Sequence, residues 1–443
     1  MNAAVPELAV PSPSSPSFDS LGLSPASLEA VRRAGYLVPT PIQAQAIPLA
    51  LQGRDVVGVA ATGTGKTAAF VLPLLERHPH GLWLILAPTR ELALQIAEHV
   101  ERLAPRRLAV AVVIGGVGMG QQIADLRASP QVIVATPGRL VDHLQQGNAR
   151  LDRVTALVLD EADRMLDMGF RPQLNKILAR MPRQRQTMLF SATMGGEVEQ
   201  FTRQSVKDPV RVEVARSGTT AARAVQQVFL VGQSEKTALL LALLSQDEES
   251  TLVFTRTKHR ADKVARSLER SGLEVARIHA NRSQSQRQQA LEGFRSGRYR
   301  VLVATDIAAR GIDVEEIGHV VNYDLPHVPA DYVHRIGRTA RAAASGRASS
   351  FAAPEELPLL RDIDRFTRTP VPRAEVPRDH PVFQDHARAA DEAPAPSRHQ
   401  HHHRSQRPPQ AQRDARPSRP QASSGAPARS GAVVFSGGPR RRR

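Results

Sequence analysis

The feature that most constrains the fold of this chain is a glycine-rich turn at residues 60–67, Ala-Ala-Thr-Gly-Thr-Gly-Lys-Thr. It follows a short apolar run at residues 55–59, and it precedes a helical pattern from Ala68 to Leu75. A strand, a tight glycine turn and a helix in this order are the context of a phosphate-binding loop. The sequence therefore predicts an α/β fold with a nucleoside triphosphate site at this turn.

The residues of the turn suit phosphate chemistry. Gly63 and Gly65 let backbone N–H groups approach a phosphate without a Cβ in the way, and the start of the helix adds its dipole. Lys66 adds a point charge, and the Thr67 hydroxyl can hold Mg²⁺. Alanine at position 60 departs from the generic pattern, which has glycine there. The predicted nucleotide contacts in this turn are Ala60, Thr62, Gly63, Thr64, Gly65, Lys66 and Thr67.

Composition bounds the partners and the compartment. The 443 residues allow two or three domains, and 59 Lys and Arg against 43 Asp and Glu give a net charge of +16, which favours a polyanionic partner. The absence of cysteine excludes disulfides, thiol catalysis and cysteine–zinc sites, and it fits a reducing compartment. The start of the chain has no secretory pattern, and no apolar run approaches 18 residues. We therefore expect a cytoplasmic protein with no membrane partner.

Two α/β series follow one another along the chain. Short, continuous apolar runs alternate with helical patterns in each series, as the buried strands of parallel sheets require. The predicted strands are Asp55–Ala60, Trp83–Ala87, Ala109–Ile114, Val132–Ala135, Leu157–Asp160 and Thr187–Phe190, then Val228–Val231, Thr251–Phe254, Val275–Ile278, Val301–Ala304 and His319–Asn322. The predicted organisation is a disordered leader at 1–17, a first domain at 18–214, a linker at 215–224, a second domain at 225–369 and a disordered, basic tail at 370–443.

The second series contains no glycine turn of this kind, so we expect a single nucleotide. The tail is rich in Pro, Ala, Ser, Gln and Arg, a composition that cannot bury enough apolar surface to order itself. Its histidines could bind a metal, but a solvated polar tract is the prediction for His399 and for His401 to His403.

A cluster of carboxylates follows the apolar run at residues 156–159, in the order Asp160-Glu161-Ala162-Asp163. The carboxyl end of a parallel strand faces the crevice where such sheets bind ligands. Asp160 can hold Mg²⁺ there, and Glu161 can orient and deprotonate an attacking water. An acidic run after a strand is by itself more often a helix cap. Together with the glycine turn, it predicts a site of nucleotide hydrolysis.

These residues and several other segments resemble, in order, the motifs of the DEAD-box ATP-dependent RNA helicases. Residues 160–163 spell the family's name, alanine at 60 is what the family carries, and residues 35–43 resemble its Q motif. The resemblance covers about residues 18–351, and the opening at 18–23 with the basic tail is most similar to the bacterial RhlE-type subgroup. It implies that the Gln43 amide contacts adenine and that Phe18 packs nearby.

The resemblance also implies an RNA-binding face on both domains. Arginine and threonine side chains and glycine N–H groups contact phosphate and sugar without reading bases, so binding is expected to be blind to sequence. The implied RNA contacts are Arg90, Gly116, Thr136, Gly138, Arg139, Thr257, Arg287 and Thr305.

The strongest motif of the second half is the segment 334–341, His-Arg-Ile-Gly-Arg-Thr-Ala-Arg. By resemblance, Arg338 and Arg341 are arginine fingers that reach the γ-phosphate when the domains close. Gly311 and Asp313 are implied nucleotide contacts, with Asp313 at the ribose. The implied residues that couple hydrolysis to unwinding are Asp163, Ser191, Thr193, His334 and Arg335.

Together these implications describe two tandem RecA-like domains with ATP and Mg²⁺ in the cleft between them and RNA across both. ATP binding would close the cleft and bend one strand of a short duplex, and hydrolysis would reopen it. Ribosomal or RNA-degradation assemblies are candidate partners. The implied catalytic residues are Glu161, Lys66, Asp160, Arg338 and Arg341, with Thr67 and Asp160 as the metal ligands.

Other classes of function remain open at this point. One alternative is a P-loop switch or a small-molecule kinase. A GTPase switch would need an Asn-Lys-x-Asp motif, and the nearest segment, residues 175–178, ends in leucine instead. An ATP-gated clamp that holds RNA without unwinding it would share every motif. A DNA helicase is a further alternative, distinguished by the polynucleotide that stimulates the ATPase.

Overall fold

The computed structural model describes residues 16–61, 63–104, 107–214, 224–309, 317–339 and 346–391. Within these ranges the chain forms two seven-stranded sheets. The strand pairs in both sheets are parallel. Helices cover the faces of such sheets because each parallel connection must cross over one of them. The predicted class, two α/β domains with parallel sheets, is confirmed.

The first domain carries the glycine turn. Its sheet has the order β3-β4-β2-β5-β6-β1-β7. The strands are β1 (Val56–Val59), β2 (Leu82–Leu86), β3 (Val110–Val113), β4 (Val132–Ala135), β5 (Val154–Leu159), β6 (Gln186–Ser191) and β7 (Val210–Glu213). Its described helices are the 3₁₀ turn Phe18–Ser20 and the α-helices Pro25–Arg33, Pro41–Leu51, Lys66–Arg77, Arg90–Leu103, Met119–Arg127, Pro137–Gln145, Ala162–Asp167, Arg171–Leu178 and Gly196–Ser205.

The second domain repeats this arrangement. Its sheet has the order β10-β11-β9-β12-β13-β8-β14, so each strand has a counterpart at the same place in the first sheet. The strands are β8 (Val225–Leu230), β9 (Thr251–Thr255), β10 (Val275–Ile278), β11 (Val301–Thr305), β12 (His319–Asn322), β13 (Arg347–Ala352) and β14 (Arg373–Ala374). Its described helices are Lys236–Leu244, Lys258–Arg270, Gln284–Arg295, Asp306–Ala309, Pro329–Ile336, the 3₁₀ turn Pro354–Glu356, Leu357–Thr367 and Pro381–Asp391.

Both faces of the first sheet are buried, which explains its continuous apolar strands. In β5, Ala156 and Val158 pack into the core on one face, while Leu157 and Leu159 pack into the core on the other. Successive side chains of a strand alternate between faces, so a strand covered on both sides carries apolar residues on both faces. Each fully buried aliphatic side chain contributes about 1.5–3 kcal/mol.

The predicted start of the disordered tail, residue 370, is wrong. Strand β14 pairs with β8 at the edge of the second sheet, and the helix Pro381–Asp391 packs against the helix Lys236–Leu244. Phe383 is 3% exposed, and Arg378 forms an ion pair with Glu235 at 2.6 Å. The ordered second domain therefore extends at least to residue 391. A Pro-rich, charged composition hid the few apolar residues that anchor this segment.

The predicted leader (1–15 of its 17 residues), most of the linker (215–223) and the tail from residue 392 lie outside the described residues. Strands β7, β13 and β14 were not predicted. In β13 the buried residues include Ser349 and Ser350, whose hydroxyls bond His319 and Asn322 of β12. A strand whose buried positions are polar escapes a search for apolar runs. No helix of the described ranges has the length and apolarity that crossing a membrane would require.

Candidate active site and nucleic-acid interface

The glycine turn joins β1 to the helix Lys66–Arg77. Gly63 and Gly65 have φ angles of +79° and +84°, a left-handed conformation that glycine adopts without strain. Lys66 is buried, and its Nζ donates to the carbonyl of Ala60 at 3.2 Å. Because that bond closes the turn on itself, the ammonium is poised beside the helix N-terminus, where a phosphate would bind. Thr62, a predicted contact in this turn, lies outside the described residues.

The side chain of Gln43 ties the Q-motif segment to the glycine turn. Its Oε1 accepts from the backbone N–H of Thr40 at 2.9 Å, and its Nε2 donates to the carbonyl of Gly65 at 3.0 Å. A Cβ at position 65 would lie 2.4 Å from that Nε2, so only glycine permits the contact. One N–H and one oxygen lone pair of the amide remain for a base edge.

Phe18 lies in the hydrophobic core beside Tyr36, with the two rings stacked at 6.4 Å between centroids. The ring is 4% exposed, so protein already covers most of it. Phe18 therefore supports the Q-motif segment from within the core and offers little surface for contact with a base.

The carboxylates predicted for catalysis stand at the carboxyl end of β5. Asp160 and Glu161 are both buried, and the Asp160 backbone N–H still donates to Leu86 of β2. Glu161 has φ +53° and ψ +54°, a left-handed conformation that is uncommon for residues other than glycine. Such a conformation costs of order 1–3 kcal/mol and persists only where the surroundings impose it.

The pKa values of these two carboxylates are shifted in opposite directions. Burial, with the nearby charges of Glu161 and Asp163, raises the pKa of Asp160 to about 6 against the pull of Lys66. Burial would also raise the pKa of Glu161, but neighbouring positive charges outweigh it and lower that pKa to about 2. Those charges belong to Arg164, Lys66, Arg338 and His334. The Nε of Arg164 lies 3.3 Å from Glu161 Oε2.

The donor set here fits Mg²⁺. Asp160 offers carboxylate oxygens and Thr67 a hydroxyl, and hard oxygen ligands are what this ion prefers. A buried carboxylate whose pKa is raised is stabilised in its ionised form by an adjacent cation. No cluster of three or more acidic, histidine or cysteine side chains in the described ranges forms a complete metal cage. Such a site suits Mg²⁺, which usually binds through one or two carboxylates with water and substrate phosphate.

Asp163 connects this acidic segment to the predicted coupling segment. Its Oδ2 accepts from the backbone N–H groups of Ala192 and Thr193 at 3.1 and 3.0 Å, and from the Thr193 hydroxyl at 3.1 Å. The Ser191 hydroxyl donates to the carbonyl of Thr193 at 2.6 Å. Three of the implied coupling residues, Asp163, Ser191 and Thr193, are therefore linked by hydrogen bonds.

The second domain presents arginines to the same cleft. Arg338 is 3% exposed and lines a cavity together with Arg164 of the first domain, beside His334 and Arg335. Arg335 does not face the nucleotide, because its guanidinium holds Asp306 with two bonds, at 2.6 and 2.7 Å. It also donates to Asn322 and to the carbonyl of Asp324. The other predicted nucleotide residues of this domain, Arg341, Gly311 and Asp313, lie outside the described residues.

A buried lysine occupies the corresponding place in the second domain. Lys236 begins the helix after β8, as Lys66 begins the helix after β1. Its Nζ donates to the carbonyls of Tyr323 and Phe351 at 2.9 and 3.2 Å and to the carboxylate of Glu356. Three protein acceptors therefore use the three protons of this ammonium. Because one of these acceptors is the carboxylate of Glu356, Lys236 has no proton left to donate to a phosphate.

The predicted RNA residues of the first domain meet around one loop, Gly115–Gly118. Arg90 starts the helix after β2 and lies so close to Gly116 that a Cβ there would be 1.8 Å from Arg90 Nη1. Arg139 Nη1 donates to the carbonyl of Val117 at 3.0 Å. Thr136 and Gly138 lie at the start of the helix that carries Arg139.

In the second domain the predicted RNA residues divide. Thr257 caps the helix Lys258–Arg270 by accepting from the Arg260 N–H, and Thr305 ends β11. Arg287 instead forms an ion pair with Glu91 of the first domain at 3.0 Å. Its guanidinium is therefore occupied across the cleft, and the structure does not place it as a surface contact for RNA.

Sequence reasoning missed the partners of these residues. Glu91 follows the predicted RNA residue Arg90 and Gln284 precedes Arg287 by three positions, yet nothing in this spacing reveals that the two side chains bond each other at 3.3 Å across two domains. Arg164 follows the acidic motif directly, and its position three residues after Glu161 on a helix was an available signal. Asp306 follows the predicted RNA residue Thr305 and is the partner of Arg335.

The fold and the site define a class. One RecA-like domain carries a phosphate loop and a strand-end Asp-Glu pair, and the other carries a buried arginine near that pair. These are the parts of a two-domain nucleoside triphosphatase. Residues 40–201 match the family model of the DEAD/DEAH box helicases, and residues 235–343 match that of the helicase conserved C-terminal domain. The chain belongs to the DEAD-box ATP-dependent RNA helicases, as its relatives show.

Relatives and solved structures cover most of the chain. The DEAD-box ATP-dependent RNA helicase CshA of Geobacillus kaustophilus is 42% identical over 381 residues, which are 85% of this chain and 82% of the relative. S. cerevisiae Dbp5 bound to RNA and ADP BeF3 is 31% identical, with a TM-score of 0.74 over 84% of this chain and 99% of that chain. Mss116p bound to ssRNA and AMP-PNP is 26% identical, with a TM-score of 0.75 over 82% of this chain and 80% of that chain. Several relatives carry the name CshA, and the RhlE-type subgroup is not confirmed.

Proposed function

We propose that this chain binds ATP and RNA in its closed form, separates short RNA duplexes, and reopens after hydrolysis. One observation carries this proposal: Arg338 and His334 of the second domain line one cavity with Arg164 of the first, whose Nε lies 3.3 Å from Glu161 Oε2. Two of the four positive groups around this base, Arg338 and His334, belong to the second domain, so the full set assembles only when the domains meet. Hydrolysis is thereby tied to closure.

In this proposal ATP binding tunes the base. A carboxylate whose pKa is about 2 is ionised at neutral pH, yet it takes up a proton poorly. A bound triphosphate would neutralise the field of Lys66 and Arg338, and the pKa of Glu161 would rise toward a value that suits proton abstraction. Mg²⁺, held by Asp160 and Thr67, would supply charge stabilisation at the phosphates.

RNA would lie across the predicted contacts of both domains, from the Gly115–Gly118 loop to Thr257 and Thr305. These are backbone-type contacts, so affinity should depend on charge rather than on sequence. The coupling residues Asp163, Ser191, Thr193, His334 and Arg335 would transmit closure between the ATP site and this face. A cytoplasmic location, membership in the RhlE-type subgroup, and a place in ribosomal or RNA-degradation assemblies remain part of the proposal.

The experiment that tests this function pairs a strand-displacement assay with an RNA-affinity assay. A short RNA duplex with a single-stranded overhang should be separated in the presence of ATP, and the Glu161→Gln variant should bind the same RNA without turnover. Stable ATP-dependent RNA binding without strand displacement would identify a clamp instead. Equal stimulation of the ATPase by DNA and RNA would contradict selectivity for RNA.

A further inference from the structure

The loop Gly115–Gly118 brings two predicted RNA-binding arginines together, yet its own chain is intrinsically flexible. Gly116 has φ +75°, and three of the four loop residues are glycine. Glycine loses more conformational freedom on ordering than any other residue. A loop of this composition binds a ligand weakly unless something else holds it in the bound shape.

Gln122 contacts this loop from the protein interior. It lies on the helix Met119–Arg127, is 3% exposed, and directs its Nε2 at carbonyls on both sides of the loop. The distances from Nε2 are 3.1 Å to Ile114, 3.2 Å to Gly118 and 3.5 Å to Val117. Because carbonyls only accept, the amide nitrogen must face the loop and the amide oxygen must face away from it.

The amide oxygen of Gln122 faces His143. The imidazole Nε2 lies 3.3 Å from Gln122 Oε1, and the ring is fully buried. Since an amide oxygen only accepts, Nε2 carries the proton, while Nδ1 has no partner among the described residues. Burial, with Arg139 nearby, lowers the pKa of His143, which favours this neutral form.

His143 lies on the helix Pro137–Gln145, which also carries Arg139. The path from His143 through Gln122 to the glycine loop therefore joins the two RNA-binding segments of the first domain behind their exposed face. Arg139, on the same helix as His143, donates directly to the carbonyl of Val117 in this loop. Gln122 and His143 are both buried, so the role of this pair is to position the loop.

We propose that Gln122, oriented by His143, is a positioning residue that holds the Gly115–Gly118 loop in the shape that binds the RNA backbone. The inference rests on the proposed RNA-binding face. In addition, part of the RNA affinity depends on a buried amide that makes no contact with RNA. Without that amide, RNA itself would have to order the loop, and the cost would appear in affinity.

The test uses Gln122→Met, which keeps the length of the side chain and removes both polar atoms. Gln121→Met is the matched control, because Gln121 is exposed on the same helix and its side chain donates to Asp125, away from the loop carbonyls that Gln122 contacts. The RNA concentration for half-maximal ATPase should rise about tenfold for Gln122→Met, the scale of one or two net hydrogen bonds of about 1 kcal/mol each. The rate at saturating RNA should change by less than about threefold, and Gln121→Met should match the wild type.

A second variant and a second measurement separate positioning from simple loss of structure. Gln122→Glu keeps the oxygen that faces His143 but turns an acceptor toward the loop carbonyls, so it should weaken RNA binding more than Gln122→Met. Hydrogen exchange of the backbone amides at 115–118 should accelerate in both variants, while β3 and β4 keep their protection.

The outcomes are distinct. RNA that fails to bind even the wild-type chain would refute the proposed function itself. Wild-type binding with equal half-maximal RNA concentrations for Gln122→Met and Gln121→Met would overturn the positioning role alone. A parallel fall in saturated rate, RNA affinity and protection of β3 would also overturn it, because that result describes a damaged fold.

Discussion

Arg287 Nη2 lies 3.0 Å from Glu91 Oε2, although the arginine belongs to the second domain and the glutamate to the first. The Glu91 side chain is 3% exposed and that of Arg287 is 9% exposed, so little water reaches the pair. Gln284 Nε2 lies 3.3 Å from the other oxygen of the same carboxylate. One buried carboxylate is thus satisfied by two donors of the opposite domain. The contact exists only while the domains are together, and it favours closure.

Arg287→Met should therefore weaken RNA binding chiefly when a non-hydrolysable ATP analogue is present to close the domains. Removing one partner of a buried pair leaves the other charge unpaired and costs about 3–5 kcal/mol, so the closed state should lose at least about a hundredfold in population. The measurement is RNA binding with and without the analogue. Arg295→Met, an exposed residue of the same helix, is the control. Equal losses of RNA affinity with and without the analogue would instead support the direct RNA contact that the sequence predicted for Arg287.

The two central residues of the ATP site should fail in different ways. Lys66→Ala should lose ATP binding, because a charge-assisted phosphate contact disappears. Glu161→Gln should still bind ATP and RNA but stall before hydrolysis, since an amide cannot accept the proton of water. ATP affinity and single-turnover hydrolysis distinguish the two defects. Hydrolysis by Glu161→Gln at nearly the wild-type rate would show that Glu161 is not the base.

Arg338 is expected to act on turnover and not on ATP capture. Arg338→Ala should reduce the RNA-stimulated ATPase by roughly 10³-fold, the scale of arginine fingers. ATP affinity of the RNA-free protein should barely change, because Arg338 reaches the site only from the second domain. The comparison needs both measurements on the same preparation. A matching loss of ATP affinity would indicate a ground-state contact or a folding defect.

The sequence predicted the fold where burial is two-sided. Strands such as β4 are apolar at every position, and their order along the chain with helices between them leaves few alternatives to parallel sheets. It failed where polar groups satisfy one another inside the protein. Ser349 and Ser350 of β13 are buried because His319 and Asn322 bond them, and no one-dimensional pattern carries that pairing.

The site was predictable to the extent that its chemistry is local. The glycine turn, Lys66 and Glu161 are recognised because spacing along one strand–turn–helix unit determines their geometry. The Arg287–Glu91 pair spans both domains, and Arg335 turned out to hold Asp306. Which of several arginines faces RNA, phosphate or a carboxylate depends on tertiary contacts. The positive charge of an arginine does not by itself predict which of these groups it contacts.

His319 should make stability fall on mild acidification. Its ring is 1% exposed, and its Nε2 lies 2.8 Å from the Ser349 hydroxyl. Burial, reinforced by Arg347 and opposed by Asp247, lowers its pKa from 6.5 to about 4. The unfolded chain therefore takes up a proton below pH 6.5 that the folded chain refuses until about pH 4. The free energy of unfolding should lose roughly 3 kcal/mol across this window and nothing above it.

The check on this prediction is denaturant unfolding of wild type and His319→Gln at pH 7.5 and 5.0, with exchange of the β12 and β13 amides to follow the second domain. Glutamine can still hydrogen-bond Ser349 but does not titrate. The variant should therefore lose about 2 kcal/mol less than the wild type between these two pH values. Identical pH dependence in the two proteins would mean that His319 titrates normally or is not the group responsible.

The last prediction concerns the basic segment beyond the second domain. Residues 392–443 contain 11 Arg, no Lys and 2 acidic residues, a net charge of +9 within a chain of +16. We propose that this segment is a sequence-independent RNA tether that supplies affinity through counterion release. A tether adds affinity without entering the catalytic site, so its loss should leave the ATPase rate at saturating RNA unchanged.

The structure determines at which residue the chain should be truncated to test this tether. A truncation after Thr369 would also remove β14 and the helix that covers Lys236–Leu244, so it would confuse lost charge with a destabilised domain. Truncation after Ala393 leaves both in place. The slope of log K against log salt should then become shallower by roughly 3 to 6, if about four to eight phosphates each contribute the single-strand value near 0.7. Superimposable slopes for the full-length and truncated proteins would exclude the tether, and the segment would then need a partner other than RNA.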